Sequence, residues 1–209
     1  MLIALIVLIV LAVLAGLALM LSYNRLVRQR NLVRESWRQI DVELQRRYDV
    51  IPNLVETVKA FAAQERQVLV AVIEARNNAE AVRQQPGAGA AAQARAEGEL
   101  QRTVGGLFAV AEAYPDLKSN QNFLALQTQL AETEDRVASG RRYYNAVVRD
   151  LNTRVEAFPS NVVANSFGFR PEEYFEVDDP TARGPVQVDF SGGGTALPPA
   201  GRPPLPPAP

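Results

Sequence analysis

The chain has 209 residues, a formal net charge of −1, and neither cysteine nor histidine. The lack of cysteine excludes disulfides, thiol nucleophiles and thiolate metal sites, and the lack of histidine excludes imidazole ligands and the commonest general base at neutral pH. Of the 22 basic residues only Lys59 and Lys118 are lysine, so a lysine-dependent site has few options.

The first predicted element is a transmembrane helix at residues 1–22. Leu2 to Leu21 contains no charged residue, and about 20 apolar residues are what a helix needs to cross a bilayer. A cleaved signal peptide is the alternative, but no basic residue precedes the apolar run and no small-x-small cleavage site follows it. Basic residues cluster after the span, so the positive-inside rule predicts an outside N-terminus and a cytoplasmic remainder.

Three arginines that follow the span are predicted to contact lipid headgroups: Arg25, Arg28 and Arg30. Each arginine near an anionic bilayer surface contributes on the order of 1 kcal/mol to membrane binding. Arg38 lies further along the same helix, where a solvated face is the simpler interpretation.

The helix is predicted to continue past the span to a tight corner at Tyr48–Pro52, because proline interrupts helical hydrogen bonding and restricts the residue before it. Asp49 is a candidate cap for the next helix, which runs to about Gln84. Glu65 falls on the apolar seam of that second helix, so we expect an arginine from a neighbouring helix as its partner.

A third helix is predicted from about Ala91 to Ala113, after a break rich in Gly and Pro. Gly105 and Gly106 are adjacent in its interior. Each costs about 1 kcal/mol relative to alanine in a helix, so we expect close helix packing or a kink at this point.

The fourth predicted helix, Phe123 to Phe158, is the one around which the chain is organised, and Ser119 or Asn120 is its expected cap. Apolar or small residues recur along it at alternating steps of three and four, which is typical of a helix packed lengthwise against others. They are Phe123, Leu126, Leu130, Thr133, Val137, Gly140, Tyr144, Val147, Leu151, Val155 and Phe158.

The aromatic residues from Phe158 to Phe175 are expected to fold back on the bundle or to dock on a partner. Residues 178–209 are rich in Gly and Pro and are predicted to be disordered. The predicted fold is therefore all-α: an N-terminal transmembrane helix that continues into an antiparallel up-and-down four-helix bundle at residues 23–177.

No catalytic, metal or cofactor site is predicted. Metal sites within helical bundles use histidine, and the Gly-rich segments lack the context of a Walker loop. Glu132, Glu134 and Asp135 lie on a helix rich in arginine, which favours solvated ion pairs over acid–base catalysis. We expect no enzyme activity, no cofactor, no nucleic-acid partner and no small-molecule substrate.

Seven polar residues stand at particular places in the helices and have two interpretations. Either they form a hydrogen-bond network between helices that sets register, or they form a surface for a partner. They are Asn53, Glu56, Asn122, Gln127, Glu134, Arg141 and Asn145.

Several blocks of sequence resemble one family. RRYDVIPNLVETVK, NQNFLALQ and YNAVVRDLNTRVEAFPSN occur in this order, followed by FGF and YFE. With these blocks the chain closely resembles the LemA family of bacterial membrane proteins, over roughly residues 1–177. The resemblance implies one span, a cytoplasmic helical bundle and the bacterial plasma (inner) membrane. It supplies no established catalytic residues. Family members are often encoded near HtpX-type membrane proteases and TPM-domain proteins, and a magnetosome-membrane protein belongs to the family.

Two functions from different classes follow. The first is a membrane-anchored, non-enzymatic scaffold or adaptor, oligomeric, which organises partners at the membrane and contacts membrane lipids. The alternative is a regulatory or signalling subunit of an HtpX-like membrane protease system, with a protease or TPM-domain protein as partner.

Overall fold

The computed structural model describes residues 1–177, which contain six α-helices and no β-strand. The predicted all-α class is confirmed, with an apolar N-terminal helix that continues into a bundle. The tail predicted at 178–209 lies outside the described residues. The helices are α1 (Leu2–Lys59), α2 (Arg66–Gln84), α3 (Ala90–Glu112), α4 (Pro115–Lys118), α5 (Gln121–Glu156) and α6 (Ser160–Ser166).

The four long helices pack as two antiparallel pairs. α5 runs back along α1, and α2 pairs with α3 while also contacting α1. Short links at residues 60–65 and 85–89 reverse the chain, and α4 joins α3 to α5. The antiparallel course of α1 and α5 brings Ile40 against Gly140 and lets the Gln29 side-chain amide donate to the Val147 carbonyl at 3.4 Å.

α1 is one uninterrupted helix of 58 residues, with an exposed apolar part followed by a part that is buried in the bundle. Its first twenty residues are apolar and exposed, and they give it the length and composition to cross a membrane. Further along, one face is buried in the bundle: Leu26, Val33, Ile40, Leu44, Tyr48, Ile51, Leu54 and Val58. At about 1.5 Å per residue the helix extends roughly 87 Å, so the apolar segment and the bundle are mechanically continuous.

The corner predicted at Tyr48–Pro52 is wrong, because α1 passes through Pro52 and ends at Lys59. A proline inside a helix removes the hydrogen bond to the carbonyl four residues earlier, which here belongs to Tyr48. Arg76 of α2 supplies the missing donor, since its Nε lies 3.2 Å from the Tyr48 carbonyl oxygen. Asp49 therefore caps no helix and lies within α1.

The chain reverses between α1 and α2 at residues 60–65, where Glu65 is half-buried. Its partner is not the predicted arginine. The Tyr114 hydroxyl donates to Glu65 Oε1 at 3.3 Å and accepts from the Gln64 side chain at 2.7 Å. A neutral donor is sufficient here because this carboxylate keeps contact with water and avoids the full cost of burying a charge.

The apolar seam predicted for the fourth helix is confirmed along α5. Asn120 caps this helix, and its side chain accepts a hydrogen bond from the Phe123 amide at 3.1 Å. Phe158 is the exception in the seam: it lies beyond the end of α5 and is 82% exposed. The buried seam residues are Phe123, Leu130, Thr133, Val137, Tyr144, Val147, Leu151 and Val155.

Residues 167–177, here called the C-terminal strap, follow α6 and have no regular secondary structure. Phe169 and Phe175 of the strap are buried. These two aromatic residues therefore fold back on the bundle, which is one of the two predicted alternatives. Phe158 and Phe167, in contrast, remain largely exposed. The aromatic segment therefore has an inner set that is buried against the bundle and an outer set that stays largely exposed.

The close packing expected at Gly105 and Gly106 is absent from the described residues. Both glycines are exposed, and a Cβ built at either position would have no neighbour within 4 Å. The contrast is Gly140, where a Cβ would lie 3.0 Å from Ile40 Cγ1 at the contact of α1 with α5.

We therefore expect Gly105→Ala and Gly106→Ala each to raise the free energy of unfolding by about 0.5–1 kcal/mol, because alanine loses less backbone entropy in a helix. Denaturant unfolding of the full chain in detergent, followed by far-UV circular dichroism, measures the change. Gly140→Ala is the control and should gain less, since Ile40 must move. A loss of stability at Gly105 or Gly106 would contradict the exposed position of these residues.

Candidate functional site

A charged cluster is buried where α1, α3 and α5 meet. Arg47 of α1 is 4% exposed and Glu97 of α3 is 2% exposed. Arg47 Nη1 donates to Glu97 Oε2 at 3.1 Å, and Nη2 donates to Glu134 Oε1 on α5 at 2.9 Å. One guanidinium thus ties three helices together, and any slip in their register would leave a buried charge without its partner.

Tyr48 and Gln93 complete the hydrogen bonding of Glu97. The Tyr48 hydroxyl donates to Glu97 Oε1, and the Gln93 side-chain amide donates to the same oxygen at 2.9 Å. Gln93 Nε2 also lies 3.3 Å from the Ala79 carbonyl, which brings α2 into the cluster. Burial, followed by the negative charge of Glu97, raises the pKa of Tyr48 well above its usual value. Tyr48 therefore remains a neutral donor.

A cleft of about 240 Å³ opens beside this cluster. Both signs of charge line it, and the two most buried charges already neutralise each other. No group of acidic residues within residues 1–177 is arranged to hold a metal ion. Along the wall of the cleft Arg47 forms ion pairs with Glu97 and Glu134. Its lining includes Arg47, Glu97, Glu134, Arg141, Phe175 and Val177.

Two asparagines of α5 hold the C-terminal strap by its backbone. Asn145 accepts from the Phe175 amide at 2.9 Å and donates to the Phe175 carbonyl at 3.1 Å. Asn152 makes the same pair of bonds with Glu172, at 2.8 and 2.9 Å. Each side-chain amide thus satisfies both backbone groups of one strap residue, which an irregular segment requires when it packs on a helix.

Aromatic packing reinforces these hydrogen bonds. The Trp37 ring of α1 lies 5.3 Å from the Tyr144 ring and 5.5 Å from the Phe175 ring. The Tyr144 hydroxyl donates to the Glu173 carbonyl at 3.0 Å. Burial, with help from the charges of Glu172 and Glu173, raises the pKa of Tyr144 to about 12. The strap is therefore part of the bundle and closes one side of the cleft.

The LemA family model matches residues 36–190, which include the buried cluster, both strap asparagines and the strap itself. The chain belongs to the LemA family. Together with the exposed apolar stretch of α1, this makes it a membrane-associated helical protein whose N-terminal helix fits a membrane anchor.

Curated relatives resemble this LemA-family chain over about three quarters of its length. Magnetosome protein MamQ 2 of Paramagnetospirillum magneticum is 29% identical over 179 residues and covers 76% of this chain. Magnetosome protein MamQ of Magnetospirillum gryphiswaldense is 28% identical over 178 residues and covers 75%. Protein LemA of Metamycoplasma hominis is 21% identical over 159 residues and covers 75% of this chain and 69% of its own length. The match spans 66% and 65% of the two MamQ proteins, just under two thirds.

Three of the seven predicted polar residues lie together on the inner side of α5. Glu134 pairs with Arg47, Arg141 lines the cleft, and Asn145 holds the strap beside it. The other four, which are Asn53, Glu56, Asn122 and Gln127, are exposed. The structure therefore separates the set into an inner group of three and an outer group of four, and a partner surface remains a prediction.

The three predicted lipid-contacting arginines also differ from one another. Arg25 and Arg28 are exposed at the end of the apolar stretch, as a headgroup contact requires. Arg30 is half-buried, and its guanidinium carbon lies 4.9 Å from the centre of the Phe169 ring. Arg30 thus packs on the strap, while contact of Arg25 and Arg28 with lipid stays a prediction.

The residues predicted from the sequence do not include the centre of the cluster, although the sequence contains a signal for it. Gln93 and Glu97 continue the apolar seam of α3 backwards from Leu100 at steps of four and three, and Arg47 follows Leu44 on the seam of α1. Charged residues of opposite sign on two facing seams indicate a buried ion pair. With a corner predicted at Tyr48–Pro52, the predicted seam of α1 ends at Leu44, one step short of Arg47.

Arg47→Met should lower the free energy of unfolding by about 3–5 kcal/mol, because it leaves the carboxylate of Glu97 buried without its cation. Denaturant unfolding of the full chain in detergent checks this. Arg102→Met is the matched control: Arg102 pairs with Glu99 at the surface, and such pairs contribute about 1 kcal/mol or less. Equal losses in the two variants would show that the buried pair does not carry the stability assigned to it.

Asn145→Asp should release the strap, because a carboxylate would face the Phe175 carbonyl that the amide now donates to. The chain has a single tryptophan, and Trp37 packs on Phe175. We expect its fluorescence to shift to longer wavelength as water reaches the ring. Asn122→Asp is the control, since Asn122 is exposed on the same helix. Identical spectra for both variants would contradict the role of Asn145.

Proposed function

We propose that this LemA-family protein is a non-enzymatic, membrane-anchored scaffold or adaptor of the bacterial plasma membrane. Its N-terminus lies outside, and its bundle and tail lie in the cytoplasm, as the arginines after the span suggest. It acts as an oligomer and organises partners at the membrane surface.

The observation that carries this proposal is the continuity of α1. The same 58-residue helix supplies the apolar stretch and the central rod of the bundle, with no linker between Leu21 and the first buried residue, Leu26. A partner bound to the bundle would therefore be held at a set height below the bilayer. A protein whose bundle only had to reach a diffusing substrate would gain more from a flexible linker.

The buried cluster and the strap support the same function. Ion pairs and hydrogen bonds among their charged and amide groups fix the register of four helices and the path of the strap. Rigidity of this kind suits a surface that is presented to partners. The name of the MamQ relatives, magnetosome proteins, is compatible with a role in organising a membrane structure.

The test is site-specific photo-crosslinking of the full chain in native membranes. A photoreactive residue replaces Val42 or Val70, which are apolar and 51% and 53% exposed on the bundle. We expect discrete products at multiples of the chain mass, together with defined membrane partners. The same probe at Arg102, an exposed polar position, measures products from random collisions.

Each outcome of this crosslinking decides between functions. Self-products above the Arg102 background support the scaffold. A single membrane protease as the product, without self-products, would replace the scaffold by the regulatory subunit of a protease system. Uncrosslinked monomer at every position would contradict both.

A further inference from the structure

The end of the bundle nearest the apolar stretch of α1 combines arginines with exposed apolar side chains. There the link between α5 and α6 packs against the last turns of that stretch and encloses a cleft of about 350 Å³. Two arginines, Arg25 of α1 and Arg154 of α5, line the cleft, and neither pairs with a carboxylate within residues 1–177. The full lining is Ala18, Leu21, Ser22, Arg25, Leu26, Arg154, Pro159 and Ser160.

The apolar stretch sets the level of the bilayer at this cleft. Leu2 to Leu21 is twenty residues, which at about 1.5 Å per residue matches the roughly 30 Å of a hydrocarbon core. Leu21 therefore lies at the boundary between acyl chains and headgroups when the span is inserted. Pro159 and Ser160 lie across the cleft from Leu21, so the link between α5 and α6 lies at the headgroup level too.

Large apolar side chains are exposed at the same level. Phe158 is 82% exposed, Val162 is 53% exposed and Phe167 is 63% exposed. The Phe167 ring lies 4.8 Å from the ring of Tyr23, the first aromatic residue after the span. The opposite side of α6 is buried through Val163 and Ala164, so α6 has one face on the bundle and one that is uncovered.

A phospholipid surface is the occupant that fits this arrangement. Aromatic side chains concentrate at the interface of a bilayer, and amphipathic helices lie there with their apolar face towards the acyl chains. Arginine is suited to phosphate because its planar guanidinium donates two parallel hydrogen bonds. Here the apolar and the cationic groups lie side by side at the height that the span dictates.

We propose that the segment from Arg154 to Phe167, here called the elbow, is a second membrane contact that binds anionic phospholipid. Phe158, Val162 and Phe167 enter the interface, and Arg25 and Arg154 bind a lipid phosphate in the cleft between α1 and the elbow. A single span leaves a protein free to rotate and tilt about its axis. With the elbow seated, the bundle is held in one orientation relative to the membrane plane.

The first experiment measures the depth of single spin labels in the full chain, reconstituted in nanodiscs that contain phosphatidylglycerol. The chain has no cysteine, so each introduced cysteine carries the only label. We expect labels at Phe158→Cys and Val162→Cys to be more accessible to oxygen than to a water-soluble nickel complex, as lipid-exposed labels are. Leu124→Cys is the control: Leu124 is an apolar residue, 45% exposed, at the far end of α5, and its label should be accessible to the nickel complex.

The second experiment tests the cationic groups. In nanodiscs of phosphatidylcholine alone, the label at Val162→Cys should be more accessible to the nickel complex than in nanodiscs that contain phosphatidylglycerol. The substitution Arg154→Gln should cause the same increase in nanodiscs that contain phosphatidylglycerol. Arg142→Gln removes an exposed arginine from the same helix without touching the cleft and should leave the depth unchanged. Equal effects of the two substitutions would overturn the assignment of Arg154 to a lipid phosphate.

A label at Leu11→Cys separates this proposal from the membrane anchor on which it rests. If Leu11→Cys reports lipid while Phe158→Cys and Val162→Cys report water, the anchor stands and the elbow is refuted. If Leu11→Cys also reports water, the span itself is refuted, and the elbow falls with it. Lipid contact at all three positions, with water at Leu124→Cys, is the result that the proposal requires.

Discussion

The whole molecule depends on α1 remaining a helix through Pro52. A break there would separate the rod that carries Leu26 to Tyr48 from the turns that carry Leu54 and Val58. The helix persists because Arg76 donates to the carbonyl that proline leaves free, and an unpaired buried carbonyl would cost about 1–3 kcal/mol. One side chain of α2 thus permits a continuous rod, and the rod in turn fixes where every other helix packs.

The polar groups inside the bundle act as determinants of register. Apolar seams at heptad spacing tolerate a shift by one repeat, whereas such a shift would separate Arg47 from Glu97 and Glu134. The asparagine pairs at Asn145 and Asn152 do the same for the strap, which lacks a repeat of its own. Hydrophobic burial stabilises the bundle, and these few hydrogen-bonded groups select which bundle is formed.

Periodicity in the sequence predicted four long helices and the seam of α5, and residue type limited the cap of α5 to Ser119 or Asn120, because these are local properties of the chain. It failed at Pro52, where the deciding contact comes from Arg76, 24 positions away in the chain. The prediction of close packing at Gly105 and Gly106 failed for the same reason, because the exposure of a helical residue depends on which helices pack beside it. Of the site, residue type and position in the sequence indicate Glu134, Arg141 and Asn145, whereas Arg47 and Glu97 emerge only when two seams are aligned in space.

If the apolar stretch and the bundle form one rigid element, an electron–electron distance within α1 will be fixed. Leu21 and Val42 are both exposed on α1, and the chain has no native cysteine, so spin labels at these two positions report on α1 alone. For the full chain in nanodiscs, a continuous helix predicts a narrow distance distribution centred near 32 Å, from about 1.5 Å per residue. A broad distribution, or one centred at a clearly shorter distance, would reveal a hinge beneath the membrane and contradict the continuity of α1.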